Sequence, residues 1–455
     1  MRVRTVVIGC VLVALFGLVN TAWAQSQPAA GQAAAGAAQA APADDPVRTL
    51  VGRLDLEKYK ATIKGLTKFG DRRQGTDRNK AANDWIEAQF KSYGCTPTER
   101  ITYTYEPAPR AATGAAAGGA RGETGPPSPP ATAGQGAAQA GARGATGGAA
   151  AGAARGAAGA GQSGARGGTG IKGFRAPTGV NNDPMKQADE KLRALDSEPT
   201  TPGQRQEVYC TKVGSSRPDE MYIVSAHVDG IAYAEGANDN ASGSAIVMEL
   251  ARIFSLPDVK TDRSIRFIIW NNEETGLQGA RAYIEQRRDL QGQENPPGSG
   301  KYPEPKWLGV IQHDMMLYDH GMPRADGTLP PEQRPEADVN VEFAGTSKMV
   351  GDSQALAWLL KGANDRYATD YPATVGNRMS NTDSVPFQDI VASVSLREAE
   401  RLSQVGAGWD PTWHTILDMY ANFSDKDFKL GLNAAQTTLA GVAQLAGAKT
   451  EGAKK

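Results

Sequence analysis

Several segments of this chain read as strands with almost no polar relief. Residues 221–226, 265–270, 307–312 and 391–396 are apolar or nearly so and bounded by turn-forming residues, with further strand-like runs at 100–105 and 207–213. A strand without polar alternation has to be covered on both faces, as in a parallel sheet flanked by helices. Helical periodicity falls between these runs, at 79–92, 241–254, 277–286, 353–367 and 425–445. Alternation of the two patterns predicts an α/β fold with a central mixed, largely parallel sheet and helices on both faces. Ligands of such sheets bind beyond the carboxyl ends of the strands.

Composition decides how much of the 455 residues can enter that fold. Residues 25–44 and 107–184 are dominated by Ala, Gly, Gln, Pro, Ser, Thr and Arg, too poor in large apolar side chains to build a core. The expected organisation is therefore a single folded domain in two pieces, 45–106 and 185–447. A low-complexity disordered insertion at 107–184 interrupts it, a disordered linker at 25–44 precedes it, and a disordered tail at 448–455 follows.

Residues 1–24 carry Arg2 and Arg4, an apolar run, and Ala22-Trp23-Ala24, the pattern of a cleaved signal peptide. The run is shorter than the roughly 20 residues that span a bilayer, so export to the periplasm or beyond is expected, without stable membrane insertion. Cleavage would leave Cys95 and Cys210, an even pair that could be bonded or remain two buried thiols. The net charge of -1 and the lack of a basic stripe exclude a nucleic acid partner. Oligomeric state is not legible.

Chemistry-bearing residues collect at the predicted strand ends. The first apolar strand runs into His227 and Asp229, two residues apart and so on one side of an extended chain, where Asp229 can orient His227. A glycine-flanked polar loop, 236–243, holds Asp239 before a helix, where it could also serve as a cap. The strand 265–270 ends in Asn271, Asn272, Glu273 and Glu274, and paired acids can divide metal binding from proton transfer. Asp314 follows the strand 307–312, and His414 comes from a separate loop. His227, Asp239, Glu274, Asp314 and His414 form a nitrogen and oxygen donor set suited to zinc or, less selectively, to cobalt or manganese. The chain has only four histidines; His313 should alternate to the other side of its strand, and His320 reads as a loop residue.

These motifs, in this order, resemble the zinc exopeptidases that include bacterial leucyl-type aminopeptidases, glutamate carboxypeptidase and glutaminyl cyclases. The resemblance rests on His227-Val228-Asp229, the 236–243 loop, the 272–277 loop, His313-Asp314-Met315 and Trp413-His414-Thr415. It implies two Zn2+ ions bridged by Asp239, one also held by His227 and Asp314, the other by Glu274 and His414. It further implies Glu273 as general base, with Asp229 behind His227. One departure is Ser384, where many relatives carry a histidine that serves cyclase chemistry.

The expected function is an exported metallo-exopeptidase removing amino-terminal residues from peptide substrates. The alternatives are a carboxypeptidase or glutaminyl cyclase of the same fold, or a binding protein that has lost the reaction. No HExxH helix, phosphate-binding loop or dinucleotide fingerprint competes with this reading.

Overall fold

The computed structural model describes residues 45–106, 174–175, 180–181, 184–195, 198, 201–231, 234–319, 338–398 and 412–451. Residues 1–24, expected to be a signal peptide, the expected linker 25–44, His320 and most of the 107–184 stretch lie outside the described residues. The chain enters through helices α1 (Pro46–Val51), α2 (Leu56–Thr67) and α3 (Asp77–Ser92), then strand β1 (Thr98–Tyr105). The short strands β2 (Phe174–Arg175) and β3 (Val180–Asn181) pair with each other, followed by α4 (Glu190–Leu195). Strands β4 (Gly203–Lys212) and β5 (Arg217–His227) lead to helix α5 (Gly243–Phe254). Next come β6 (Val259–Lys260), β7 (Arg263–Trp270), α6 (Gln278–Arg287), β8 (Lys306–His313), β9 (Val339–Phe343) and α7 (Val350–Tyr367). The chain closes with β10 (Ala373–Gly376), β11 (Ser393–Arg397), α8 (Asp425–Ala446) and β12 (Lys449–Thr450).

Eight strands form one sheet in the order β1-β4-β7-β5-β8-β11-β9-β10. Its centre, β7-β5-β8-β11, is parallel throughout, with antiparallel β4 on one flank and antiparallel β9 on the other. The unbroken apolar runs are explained by where alternate residues go. Along β5, Val224 and Ala226 enter the larger core with α5 and α8, whereas Met221 and Ile223 enter the smaller one. Along β7, Ile265, Phe267 and Ile269 take the first face and Ile268 and Trp270 the second. Trp270, Tyr283, Trp307 and Phe387 pack together in that second core, with Trp270 and Tyr283 centroids 5.3 Å apart. Apolar side chains dominate both faces, and polar groups buried among them are paired, Arg266 with Glu304 and Ser225 with Gln312 Oε1.

Two sequence expectations need correction. The tail expected to be disordered from 448 includes β12, which pairs antiparallel with β6, because Gly447 in the left-handed region turns the chain off α8 toward that strand. The insertion expected to be disordered through 184 contains the β2–β3 ladder, and a short helical turn begins at Pro184. Strands β9 and β10 and helices α1 and α2 were not legible; buried Asn340 and Glu342 interrupt the apolar run in β9.

Cys95 and Cys210 are bonded, tying the approach to β1 onto β4 across 115 residues of chain, including the whole 107–173 stretch. In the chain-entropy account, closing a loop of that length stabilises the fold by about 5 kcal/mol. The double variant C95A/C210A should therefore lose about that much in urea unfolding, and reducing agent should destabilise the wild type but not the variant.

Candidate metal centre

The parallel strands β5, β7 and β8 all end on the same edge of the sheet, and their extensions supply most of the site. His227 is the last residue of β5, Asp314 directly follows β8, and the loop after β7 presents Glu273 and Glu274. Register places His227 beside Trp270, so the His227 and Glu273 segments start level. Asp239 comes from the turn Ala237–Ser242, where Asp239 and Asn240 leave helical geometry before α5 begins. His414 arrives on the segment entering α8, itself in the left-handed region with φ 53°.

All five residues expected to bind metal converge, as two triads sharing one member. His227, Asp239 and Asp314 form one; Asp239, Glu274 and His414 form the other, each with its donor atoms within 4.8 Å of one another. Asp239 divides its carboxylate between them. Its Oδ1 lies 3.5 Å from His227 Nε2, and its Oδ2 lies 3.1 Å from His414 Nε2. Asp314 Oδ1 is 3.5 Å from His227 Nε2 and Glu274 Oε2 is 3.2 Å from His414 Nε2.

Asp229 orients His227 through its main chain rather than its carboxylate: His227 Nδ1 donates to Asp229 O at 2.9 Å, which directs Nε2 into the triad. The Asp229 carboxylate has another task. Its two oxygens accept the backbone N–H groups of Glu273 at 3.1 Å and Glu274 at 3.3 Å, fixing the loop that carries both acids.

Electrostatics show what the cluster lacks. Burial pushes the carboxyl of Glu273 well above the ordinary range, and Glu274 up to about 7. Burial would lower the imidazoles, but Glu273 and Asp314 outweigh it at His227, raising it well above its ordinary value. Glu274 and Asp239 do the same at His414, raising it to about 9. Asp314 is the exception; burial would raise it, yet Arg397 and His227 hold it at about 2. Acids that resist ionising beside imidazoles that gain protons mark a site short of positive charge, which divalent cations would supply. Buried His227 Nε2 and Glu274 Oε1 have no hydrogen-bond partner among the described residues. Two orphaned donor atoms, one in each triad, together with an all nitrogen and oxygen donor set, fit zinc.

His313 points to the opposite face, as alternation predicts, bonding Ser225 O at 3.1 Å and Thr438 Oγ1 at 2.8 Å. Burial lowers its pKa to about 4 against a weaker opposing pull from Ser225. The unfolded chain, titrating near 6.5, thus binds this proton more readily than the folded one, so stability is lost as pH falls from about 6.5 toward 4. In urea melts of zinc-free protein, H313Q should lose less stability than the wild type between pH 7 and 5, by about 2 kcal/mol.

Four further residues shape the site without a motif to announce them. Arg397, at the end of β11, donates to Asp314 Oδ2 at 3.0 Å and to the carbonyls of Ser380 and Asn381 at 3.1 Å. Asp383 is fully buried, with Oδ2 accepting from Gln312 at 3.3 Å. Arg72 and Asp418 bracket the Asp239 loop. A signal did exist for Arg397 and Asp383: one directly follows the strand-like run 391–396 and the other directly precedes Ser384, the position where many relatives carry a histidine. Residues 320–337 and 399–411 lie outside the described residues.

The chain matches the profile of Peptidase family M28 over residues 207–437. It is 31% identical over 115 residues to aminopeptidase YwaD of Bacillus subtilis, covering 25% of this chain and 24% of that protein. It is 34% identical over 73 residues to carboxypeptidase Q of Xenopus laevis, covering 16% of this chain and 16% of that one. The matched segments thus span about a quarter or less of these curated relatives' lengths. The fold is similar to that of the LapA aminopeptidase of Legionella pneumophila, with a TM-score of 0.51 at 15% identity, covering 90% of this chain and 78% of that one. The profile takes in every member of the two triads as well as Glu273, and on that match the chain belongs to peptidase family M28.

Proposed function

We propose that this protein is an exported di-zinc exopeptidase that hydrolyses the amino-terminal residue from peptides. The observation that carries the reading is the division of Asp239, whose two oxygens face separate histidines in separate triads. His227, Asp239 and Asp314 would hold one ion, and Asp239, Glu274 and His414 the other. Two zinc ions held there would supply Lewis acidity toward a substrate carbonyl and toward water.

The remaining work falls to this chain's own groups. Glu273 is a half-buried carboxyl with a raised pKa, held by its backbone N–H on Asp229 Oδ1, and no triad includes it. It takes the proton from the attacking water and returns it to the nitrogen of the leaving amine. Asp229 keeps Glu273 and Glu274 in place and orients His227. Arg397 holds the outer oxygen of Asp314, leaving the inner one for the triad.

Peptidase chemistry is favoured over cyclisation by Ser384, which is buried with its hydroxyl 3.1 Å from Met379 Sδ and offers no imidazole for proton transfer. Export is supported by the leader-like residues 1–24 and by the Cys95–Cys210 bond, since disulfides persist in oxidising compartments. Among the described residues no helix is long and apolar enough to cross a membrane.

The purified, zinc-restored protein should release product from amino-acid anilides with a free amino group and not from their acetylated forms. Release only from amino-blocked peptides with a free carboxyl end would replace this reading with a carboxypeptidase. Silence toward both sets, with zinc bound, would leave a binding protein.

A further inference from the structure

The stretch from Glu235 to Asp239 has an unusual electrical setting. Its peptide groups sit between strand β5 and helix α5 and cannot all be satisfied by either ladder. On one side lies Arg72, fully buried, which donates Nη1 to Glu235 O at 2.6 Å and Nη2 to Gly236 O at 2.7 Å. The same guanidinium donates Nε to Val228 O at 2.9 Å and Nη1 to Gly70 O at 2.8 Å, tying this loop to the His227–Asp229 segment. On the other side lies Asp418, whose Oδ1 accepts from Asn238 N at 2.6 Å and Oδ2 from Asp239 N at 3.0 Å. Its carbonyl also takes Ala237 N at 3.4 Å. A buried cation therefore grips the loop's carbonyls and a buried anion its amides.

Local conformation is bent to permit this. Arg72 has φ 50°, a left-handed conformation rare for a residue with a side chain, held by Asn79 donating Nδ2 to Arg72 O at 2.7 Å. Gly236 has φ 62°, and a Cβ there would lie 2.8 Å from Arg72 Nη2 and 2.7 Å from Asp239 O. Only glycine lets the guanidinium come so close. Buried charges are expensive to place, and a planar fork is the one cationic group able to serve carbonyls of several loops together.

We infer that Arg72 and Asp418 are an opposed pair of positioning residues that fix Asp239 so that its two oxygens meet both triads. The inference rests on the two-metal reading above. Asp418 lies four residues after His414, so one short segment delivers both a ligand of the second triad and the clamp on the shared ligand. Arg72 lies outside the family match, in the piece of chain that precedes the low-complexity stretch. That piece therefore takes part in building the metal centre as well as in packing the core.

The test is zinc binding by the metal-free full chain, measured by competition with a chromophoric chelator, with circular dichroism melts as the control for folding. Because Asp239 is shared, D418N and R72M should each weaken both ions by roughly 10- to 100-fold. R72K keeps the charge without the fork and should still weaken them by roughly 10-fold. The double variant R72M/D418N should be little worse than the weaker single, since both act on one loop. Should R72M fail to fold, D418N decides alone, since its amide matches the carboxylate in size. A folded D418N that binds two zinc ions within threefold of wild-type affinity overturns the inference, as do single-variant losses that multiply in the double. A wild type that binds no zinc would sink the two-metal reading itself, whereas two ions bound equally by wild type and variants would sink only the positioning role.

Discussion

Glu273→Gln is expected to leave zinc bound and the fold intact while lowering kcat by roughly 10³-fold, within the usual range for losing a general base. The amide matches the carboxylate in size, and the backbone N–H that anchors this residue to Asp229 is untouched. Neither triad includes Glu273, so the donor set is unchanged. What disappears is the ability to take a proton from water and pass it to the leaving nitrogen. Steady-state rates on a free-amine anilide, with zinc content measured on the same sample, check this. A loss of zinc equal to the loss of rate would instead make Glu273 a ligand.

Asp239→Ala should have the larger effect on metal, because it removes one donor from each triad at once. The remaining pairs, His227 with Asp314 and His414 with Glu274, are each too few to hold zinc tightly against solvent. Zinc content should fall below one ion per chain and hydrolysis should become undetectable. Glu274→Ala provides the comparison, since it touches only the triad of His414 and should leave the other ion in place. If the Asp239 variant retained two ions, the shared position assigned to it would be wrong.

Much of this arrangement was legible because buried strands announce themselves. The runs ending at Ala226, Trp270 and Gln312 are mostly apolar on both faces, and each is followed within two residues by a group that no core would accept unpaired: His227, then Asn271 ahead of the two glutamates, then Asp314. Once the sheet is largely parallel, those ends share an edge, so the site follows from topology more than from any single motif. Strands β9 and β10 escaped notice because their environment is not local. Asn340 and Glu342 are buried within the sheet, and residues of that kind read as loop in an isolated sequence.

Arg72 illustrates the same limit at the site. Its neighbours Asp71, Arg73, Gln74 and Gly75 look like an exposed charged turn. The groups that bury it come from Val228, Glu235 and Gly236, more than 150 residues further along the chain. Asp229 lies behind His227, and its dual use, main chain toward the imidazole and side chain toward the acidic loop, depends on a contact between two strand ends that spacing alone does not reveal. Arg397 stands one residue past the predicted end of its strand, just beyond the Leu396–His313 pair of the parallel ladder, where it reaches Asp314.

The most direct test of the central claim is to titrate zinc into the metal-free protein while following hydrolysis of a free-amine amino-acid anilide. The two-triad site predicts activity that rises with added zinc and reaches its full value at two ions per chain. Activity that is already complete without zinc, or a protein that takes up two ions and never hydrolyses the anilide, would contradict it.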